Sequence, residues 1–246
     1  MSLQLDERRL AMLDAIGIKL FQPAIAQRAE PPVVPPPTVM RELRSTQPPV
    51  RPSQARSEIE LLQWDALAEA VAACRACKLC EGRTNTVFGV GDRNADWLLV
   101  GEAPGENEDL QGEPFVGQAG KLLDNMLKAL GLDRNSKVYI ANVLKCRPPG
   151  NRNPQPEEVA QCEPFLRRQV QLLQPKIILA MGRFAAQTLL GTTEPIGKLR
   201  GRVHEYAGVP VVATYHPAYL LRNLPDKAKA WTDLCFAQEL LNKNLR

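Results

Sequence analysis

Long apolar runs are missing from this 246-residue chain: no stretch approaches the ~20 residues of a membrane-spanning helix. The N-terminus, MSLQLDERRLAML, carries acids early and lacks a signal-peptide core or cleavage pattern, so the chain reads as cytoplasmic. Neither G-x-G-x-x-G nor a Walker loop occurs, which leaves nucleotide-phosphate binding without direct support. Histidine is scarce, with His204 and His216 only. A large excess of either charge is also absent; the net +4 permits nucleic-acid binding without requiring it. The apolar fraction of 44% and charged fraction of 24% suit a soluble globular protein, and the length allows one substantial α/β domain plus an appendage.

What the chain does have is six cysteines, which in a reducing cytosol point to metal ligands or buried thiols rather than disulfides. Its organisation is uneven. Residues 1–28 read as a short helical segment with Leu3, Leu10 and Leu13 at helical spacing. Residues 29–57 carry Pro31, Pro32, Pro35, Pro36, Pro37, Pro48, Pro49 and Pro52, and read as an extended linker. The folded domain is expected over 58–246, opening with a helix at Glu58–Ala73. Strands are expected at Trp97–Gly101, Val138–Leu144, Ile177–Met181 and Val209–Tyr215, with a hairpin strand at Val203–Tyr206. Helices are expected at Gln118–Leu130, Pro156–Leu173, Arg183–Leu190 and about Pro225–Leu241. Apolar strands without alternation imply a sheet covered on both faces: an α/β, three-layer αβα sandwich around a central, mostly parallel four-stranded sheet. Ligands in such sheets sit beyond the carboxyl ends of the strands. That rule brings together the loop Gly101–Gly105 (GEAPG), Asn142, and His216-Pro217.

Cys74 and Cys77 form C-x-x-C, which lets two thiolates face one metal centre from a single turn. With the distant Cys146 and Cys162 they make a four-thiolate candidate for zinc or an iron–sulfur cluster, between which spacing does not choose. Cys80 extends the run to C-x-x-C-x-x-C and competes for a place in the set; Cys235 reads as packing. In GEAPG, Pro104 and two glycines hold Glu102 where a ligand can approach the backbone closely. Phe115 in GEPFVG is either core or a stacking platform. His216, at a strand's carboxyl edge, has a better claim to chemistry than His204 in KLRGRVHEY.

Six segments occur together and in order: C-x-x-C, GEAPG, GEPFVG-x-AG, ANVLKCRPP-x-NR-x-P, the later Cys162 and HPAYLLRN. In this the stretch from Cys74 to Trp231 closely resembles the family 4 uracil-DNA glycosylases. The resemblance implies a uracil-DNA glycosylase-like fold and a 4Fe–4S cluster on Cys74, Cys77, Cys146 and Cys162, with Cys80 outside the set. It also implies hydrolysis of the bond between uracil and deoxyribose in single- or double-stranded DNA by a monomer. Phe115 would then stack on the flipped base and Asn142 would read it, with Gly101 and Ala103 lining the pocket. His216 would stabilise the departing uracil anion. Leu220, Leu221 and Arg222 would enter the DNA, and Lys198, Arg200 and Arg202 would meet phosphates. Family 1 enzymes carry a water-orienting aspartate where this chain has Ala103, and a thymine-excluding tyrosine where it has Gly105. Glu102 is therefore the candidate for positioning water and Glu108 for excluding thymine.

Two rivals remain. One is a relative that traps the abasic sugar on a histidine in a KRRIH-type loop; this chain has NRNPQPEE there, with no histidine. The other is a non-catalytic, metal-clipped DNA-binding accessory. Residues 1–57 lie outside the resemblance and are expected to be a tail or a tether for a repair or replication partner.

Overall fold

The computed structural model describes residues 58–244, all within one compact unit. The expectations for 1–28 and 29–57 lie outside the described residues. In chain order the elements are α1 (Trp64–Ala73), α2 (Leu79–Gly82), β1 (Val90–Gly91), β2 (Trp97–Gly101), α3 (Glu106–Gln111), α4 (Gln118–Ala129) and β3 (Val138–Asn142). There follow a 3-10 turn (Pro149–Asn151), α5 (Pro156–Leu173), β4 (Ile177–Met181), α6 (Arg183–Leu190), α7 (Ile196–Leu199), β5 (Val203–Tyr206), β6 (Val209–Thr214), α8 (Pro217–Leu220) and α9 (Asp226–Asn244).

The sheet has six strands, not four, in the order β1-β3-β2-β4-β6-β5. The four inner strands are parallel, as expected. The edge strands β1 and β5 run antiparallel and make the sheet mixed. Every residue of β2, β3 and β4 is buried, so successive side chains feed two separate cores. Leu98, Val100, Ala141, Ile178 and Ala213 face Leu166 and Val170 of α5 and Ala185 and Ala186 of α6. Trp97, Leu99, Ile140, Leu179 and Val212 face Leu123 and Leu127 of α4 and Leu234 and Ala237 of α9. This is the three-layer sandwich, stabilised mainly by apolar burial.

The expected Glu58–Ala73 helix is broken: the chain is non-helical at Leu62 and Gln63, and α1 starts at Trp64. The Leu62 carbonyl released there accepts from Arg168 Nε at 2.7 Å, a tertiary bond from α5. The crossover through α4 lies on one face and those through α5 and α6 on the other, so the connections reverse direction between β2 and β4. Their carboxyl ends flank the crevice where such sheets bind ligands.

Candidate active site and thiol pocket

All four parallel strands end at one cleft of about 830 Å³. Glu102 and Ala103 follow β2, Asn142 ends β3, Gly182 and Arg183 follow β4, and Tyr215 and His216 follow β6; all line it, with Phe115 and Glu108. Gly101 lies beneath: a Cβ there would overlap Asn142 Oδ1 and reach the Phe115 ring. Only glycine leaves those two side chains room at the cleft floor.

Asn142 is buried, and its Oδ1 has no hydrogen-bond partner. An unmet buried amide oxygen costs about 1–3 kcal/mol, so it marks a place for a donor from a ligand. Phe115 sits at φ 56°, unusual for a residue other than glycine. Arg134 holds the strained loop by donating Nη2 to Pro114 O at 2.8 Å and Nη1 to Phe115 O at 3.4 Å. The Phe115 ring stacks on His216 with centroids 5.4 Å apart and planes 30° apart.

His216 accepts from the Ala218 N–H through Nδ1 at 3.1 Å, so the neutral ring carries its proton on Nε2. Burial, with Arg222 nearby, lowers its pKa to about 4. Gly182 backs the ring; a Cβ there would come 2.9 Å from His216 Cβ, at a φ of 92°. Glu102 is displaced the other way, its pKa raised to about 7 by burial against the opposing charge of Arg183. The pair is thus a neutral donor after β6 and a carboxylate titrating near neutrality after β2, with β4 between them.

Glu108 lines the cleft, but its carboxylate is committed to the backbone. Oε2 accepts from Gly105 N–H at 3.1 Å, and Oε1 from Val116 and Gly117 at 2.9 and 3.1 Å. It clamps the Gly101–Gly105 loop to the Phe115 loop. Two expected DNA contacts are placed differently. Leu220 is buried on the inner side of α8, where α8 packs on α4, whereas Leu221 and Arg222 are exposed. Arg200 is bound to buried Asp233 at 2.7 Å, to Lys229 O, and lies 4.6 Å over the Tyr215 ring, which stacks on Tyr219. Its guanidinium supports the aromatic wall of the cleft instead of reaching outward. Arg202 bonds Lys198 O and Glu194.

Sequence reading missed Arg183, Gly182, Tyr215 and Tyr219. The first two follow the end of β4, so the carboxyl-edge rule applied to all four strands would have found them.

A second, much smaller pocket, a cavity of about 10 Å³, is lined by Cys74, Cys77, Cys80, Cys146 and Cys162 together with Arg83 and Lys145. Burial pushes the Cys162 thiol up to about 12 and raises Cys77 and Cys146. Such thiols favour the charged form only beside cations. Arg83 Nη1 donates to Cys146 Sγ at 3.0 Å and Nη2 to Ala72 O at 2.8 Å. Lys145 N–H donates to Cys162 Sγ at 3.4 Å. Among the described residues no three His, Cys, Asp or Glu side chains converge on a point that would hold a single ion. Thiols gathered on one cavity are soft donors that could hold a metal centre. Cys80 shares the lining, from α2.

A profile of the uracil DNA glycosylase superfamily matches residues 88–236. A type-4 uracil-DNA glycosylase of Archaeoglobus fulgidus is 48% identical over 165 residues, covering 64% of this chain and 82% of that protein. Those of Saccharolobus solfataricus and Sulfurisphaera tokodaii are 41% and 45% identical over 187 and 168 residues. These alignments cover 72% and 65% of this chain and 86% and 76% of the relatives. By these matches the chain belongs to the uracil-DNA glycosylase superfamily, in its type-4 branch.

Proposed function

We propose that this protein is a hydrolase that excises uracil from DNA, cleaving the N-glycosidic bond and leaving an abasic site. The single observation that carries the reading is the unpaired, buried Oδ1 of Asn142 on the cleft floor. Uracil presents N3–H, a donor, to such an oxygen, and its O4 accepts from the same amide. Cytosine reverses both, offering an acceptor at N3 and an amino group at C4. A buried polar mismatch of this kind discriminates by ~10⁴ or more.

The target nucleotide must leave the helix, at a cost of a few kcal/mol that is smallest at a mismatch. Phe115 receives the base by stacking, while exposed Leu221 and Arg222 face the strand it leaves. The bond from C1′ to N1 then breaks, giving an oxocarbenium-like sugar and a uracil anion. His216 Nε2–H donates to uracil O2 as that charge develops; a neutral ring does so without carrying its own proton away. Backbone N–H groups of the Gly101–Gly105 loop add to this field. The Glu102 carboxylate orients a water whose oxygen bonds to C1′, its proton passing to the carboxylate and on to solvent. Glu108 acts against thymine through the loops it clamps, since its oxygens are held by three amides.

Cys74, Cys77, Cys146 and Cys162 would hold a 4Fe–4S cluster. When bound, it supplies metal–sulfur bonds that tie the segment after α1 to the exit of β3 and to α5. The chemistry at C1′ is carried by the cleft residues.

The test is an oligonucleotide with one uracil, incubated with anaerobically purified full-length protein, treated with alkali and run on a gel. Scission at uracil and not at cytosine or thymine is expected. No scission by iron-replete protein would return the chain to the class of DNA-binding accessories.

A further inference from the structure

Lys145 is 1% exposed and among the largest fully buried side chains. A lysine is rarely buried without a paired acid, yet among the described residues no carboxylate bonds to it. Its three ammonium protons meet three neutral acceptors: Gln169 Oε1 at 2.7 Å, the Asn142 carbonyl at 2.9 Å and the Phe88 carbonyl at 3.3 Å.

The location has a cause in the sheet. The register of β1 on β3 sets Val90 opposite Ile140 and Gly91 opposite Tyr139. Continued by two residues, it would set Phe88 opposite Asn142. The ladder stops short of that pair, and the ammonium stands between the two carbonyls, while Val87 N–H bonds Lys145 O instead. Gln169 completes the wedge, its Nε2 donating to Phe88 O at 2.9 Å. On its inner side the end of β3 keeps ordinary pairing, with Val143 N–H on Gly101 O. On its outer side the support of the Asn142 peptide is Lys145. The same residue reaches the thiol pocket through its N–H on Cys162 Sγ and through its neighbour Cys146.

We infer that Lys145 is a positioning residue for base recognition: by gripping the Asn142 peptide at the sheet's open edge it aims the amide at the cleft and ties that aim to the thiol pocket. This inference rests on the reading of Asn142 as the uracil-binding amide. It assigns a role to a residue outside the cleft lining, and it gives a reason for burying a cation among three neutral acceptors.

Free uracil is the probe, because it reports on the cleft without DNA or turnover. Its dissociation constant is measured by calorimetry on the full chain, with iron and sulfide content determined on the same sample. Lys145→Met keeps the aliphatic stem and leaves the Asn142 carbonyl without its donor. It is expected to weaken uracil binding ~10-fold or more, in line with a lost charge-assisted hydrogen bond, at parental iron content. Gln169→Leu removes one acceptor and spares the contact with Asn142, so a smaller loss of ~3-fold is expected. Unchanged uracil affinity in Lys145→Met overturns the inference. So does weakening that appears only with lost iron, which would assign Lys145 to the thiol pocket alone. If Lys145→Met does not fold, unchanged affinity in Gln169→Leu overturns it. Parental protein that neither binds uracil nor cuts uracil-containing DNA defeats the functional reading, a result distinguishable from failure of the variants alone.

Discussion

The cleft and the thiol pocket draw on one short segment, Asn142–Cys146, and are finished in opposite ways. At the cleft, polar groups are buried and left wanting: Asn142 Oδ1 has no partner, Glu102 is raised to about 7, and His216 is held neutral. Around the thiols the polar groups are met. Lys145 makes three bonds, Arg83 two, and Glu158 is gripped by Arg152 and the Gln155 N–H. The unmet Asn142 oxygen marks where a ligand completes the cleft, whereas the charged groups beside the thiols are already met by the protein. Substitutions at the cleft should therefore cost rate with little loss of stability, and substitutions at the thiols should cost stability first.

The largest break expected from a single cleft side chain other than Asn142 is His216→Ala. Losing the donor to the departing anion should lower single-turnover excision by ~10²–10³, with the melting temperature close to the parent's. A fall in both would erase the distinction between the two pockets. Glu102→Gln should lower kcat by ~10² and also change its pH dependence. The carboxylate is the working form and its pKa is raised to about 7, so parental kcat should climb as pH rises through that value. The variant should lack this limb. His216 adds no limb above it, because it protonates only near 4.

The same displacements have opposite signs for stability. His216, depressed from 6.5 to about 4, costs folded-state stability as pH falls across that window. Glu102, raised from 4.5 to about 7, costs stability as pH rises across its own. Urea titrations of His216→Ala should show a shallower loss between pH 6.5 and 4 than the parent. On the other side of the comparison, Cys146→Ser should lower the melting temperature by roughly 5 °C or more, from a loss of a few kcal/mol, and reduce the iron content. The smallest effect belongs at the rim: Leu221→Ala should slow excision from duplex DNA ~3–10-fold and leave single strands unaffected, measured on matched oligonucleotides.

Much of this architecture was legible because it is apolar and local. Trp97–Gly101, Ile177–Met181 and Val203–Tyr206 are strands over the expected residues, and Pro156–Leu173 is a helix over its full expected length, started by Pro156 in its first turn. What escaped is short or tertiary. Strand β1 is two residues, one of them glycine, and α3 (ENEDLQ) has no apolar stripe, so neither carries a periodicity to read. The break at Leu62–Gln63 depends on Arg168, 106 positions away. Basic residues were the hardest to place. Arg200 reads as a phosphate contact and is occupied by Asp233, while Lys145, inside ANVLKCRPP, carries no sequence sign of its burial. A long cation carries no sign in sequence of whether it faces solvent or an acceptor contributed by another element. The cleft residues were easier, since strand ends can be counted and ligands gather at them.

The central claim is that one amide, at the end of β3, tells uracil from cytosine. It is tested most directly by single-turnover excision from two oligonucleotides that differ only in that base, using the parent and Asn142→Leu. The account predicts that the parent prefers uracil by ~10⁴ or more and that the variant loses both the rate on uracil and the preference. A variant that is slow but keeps parental selectivity would contradict it, and would place base recognition elsewhere in the cleft.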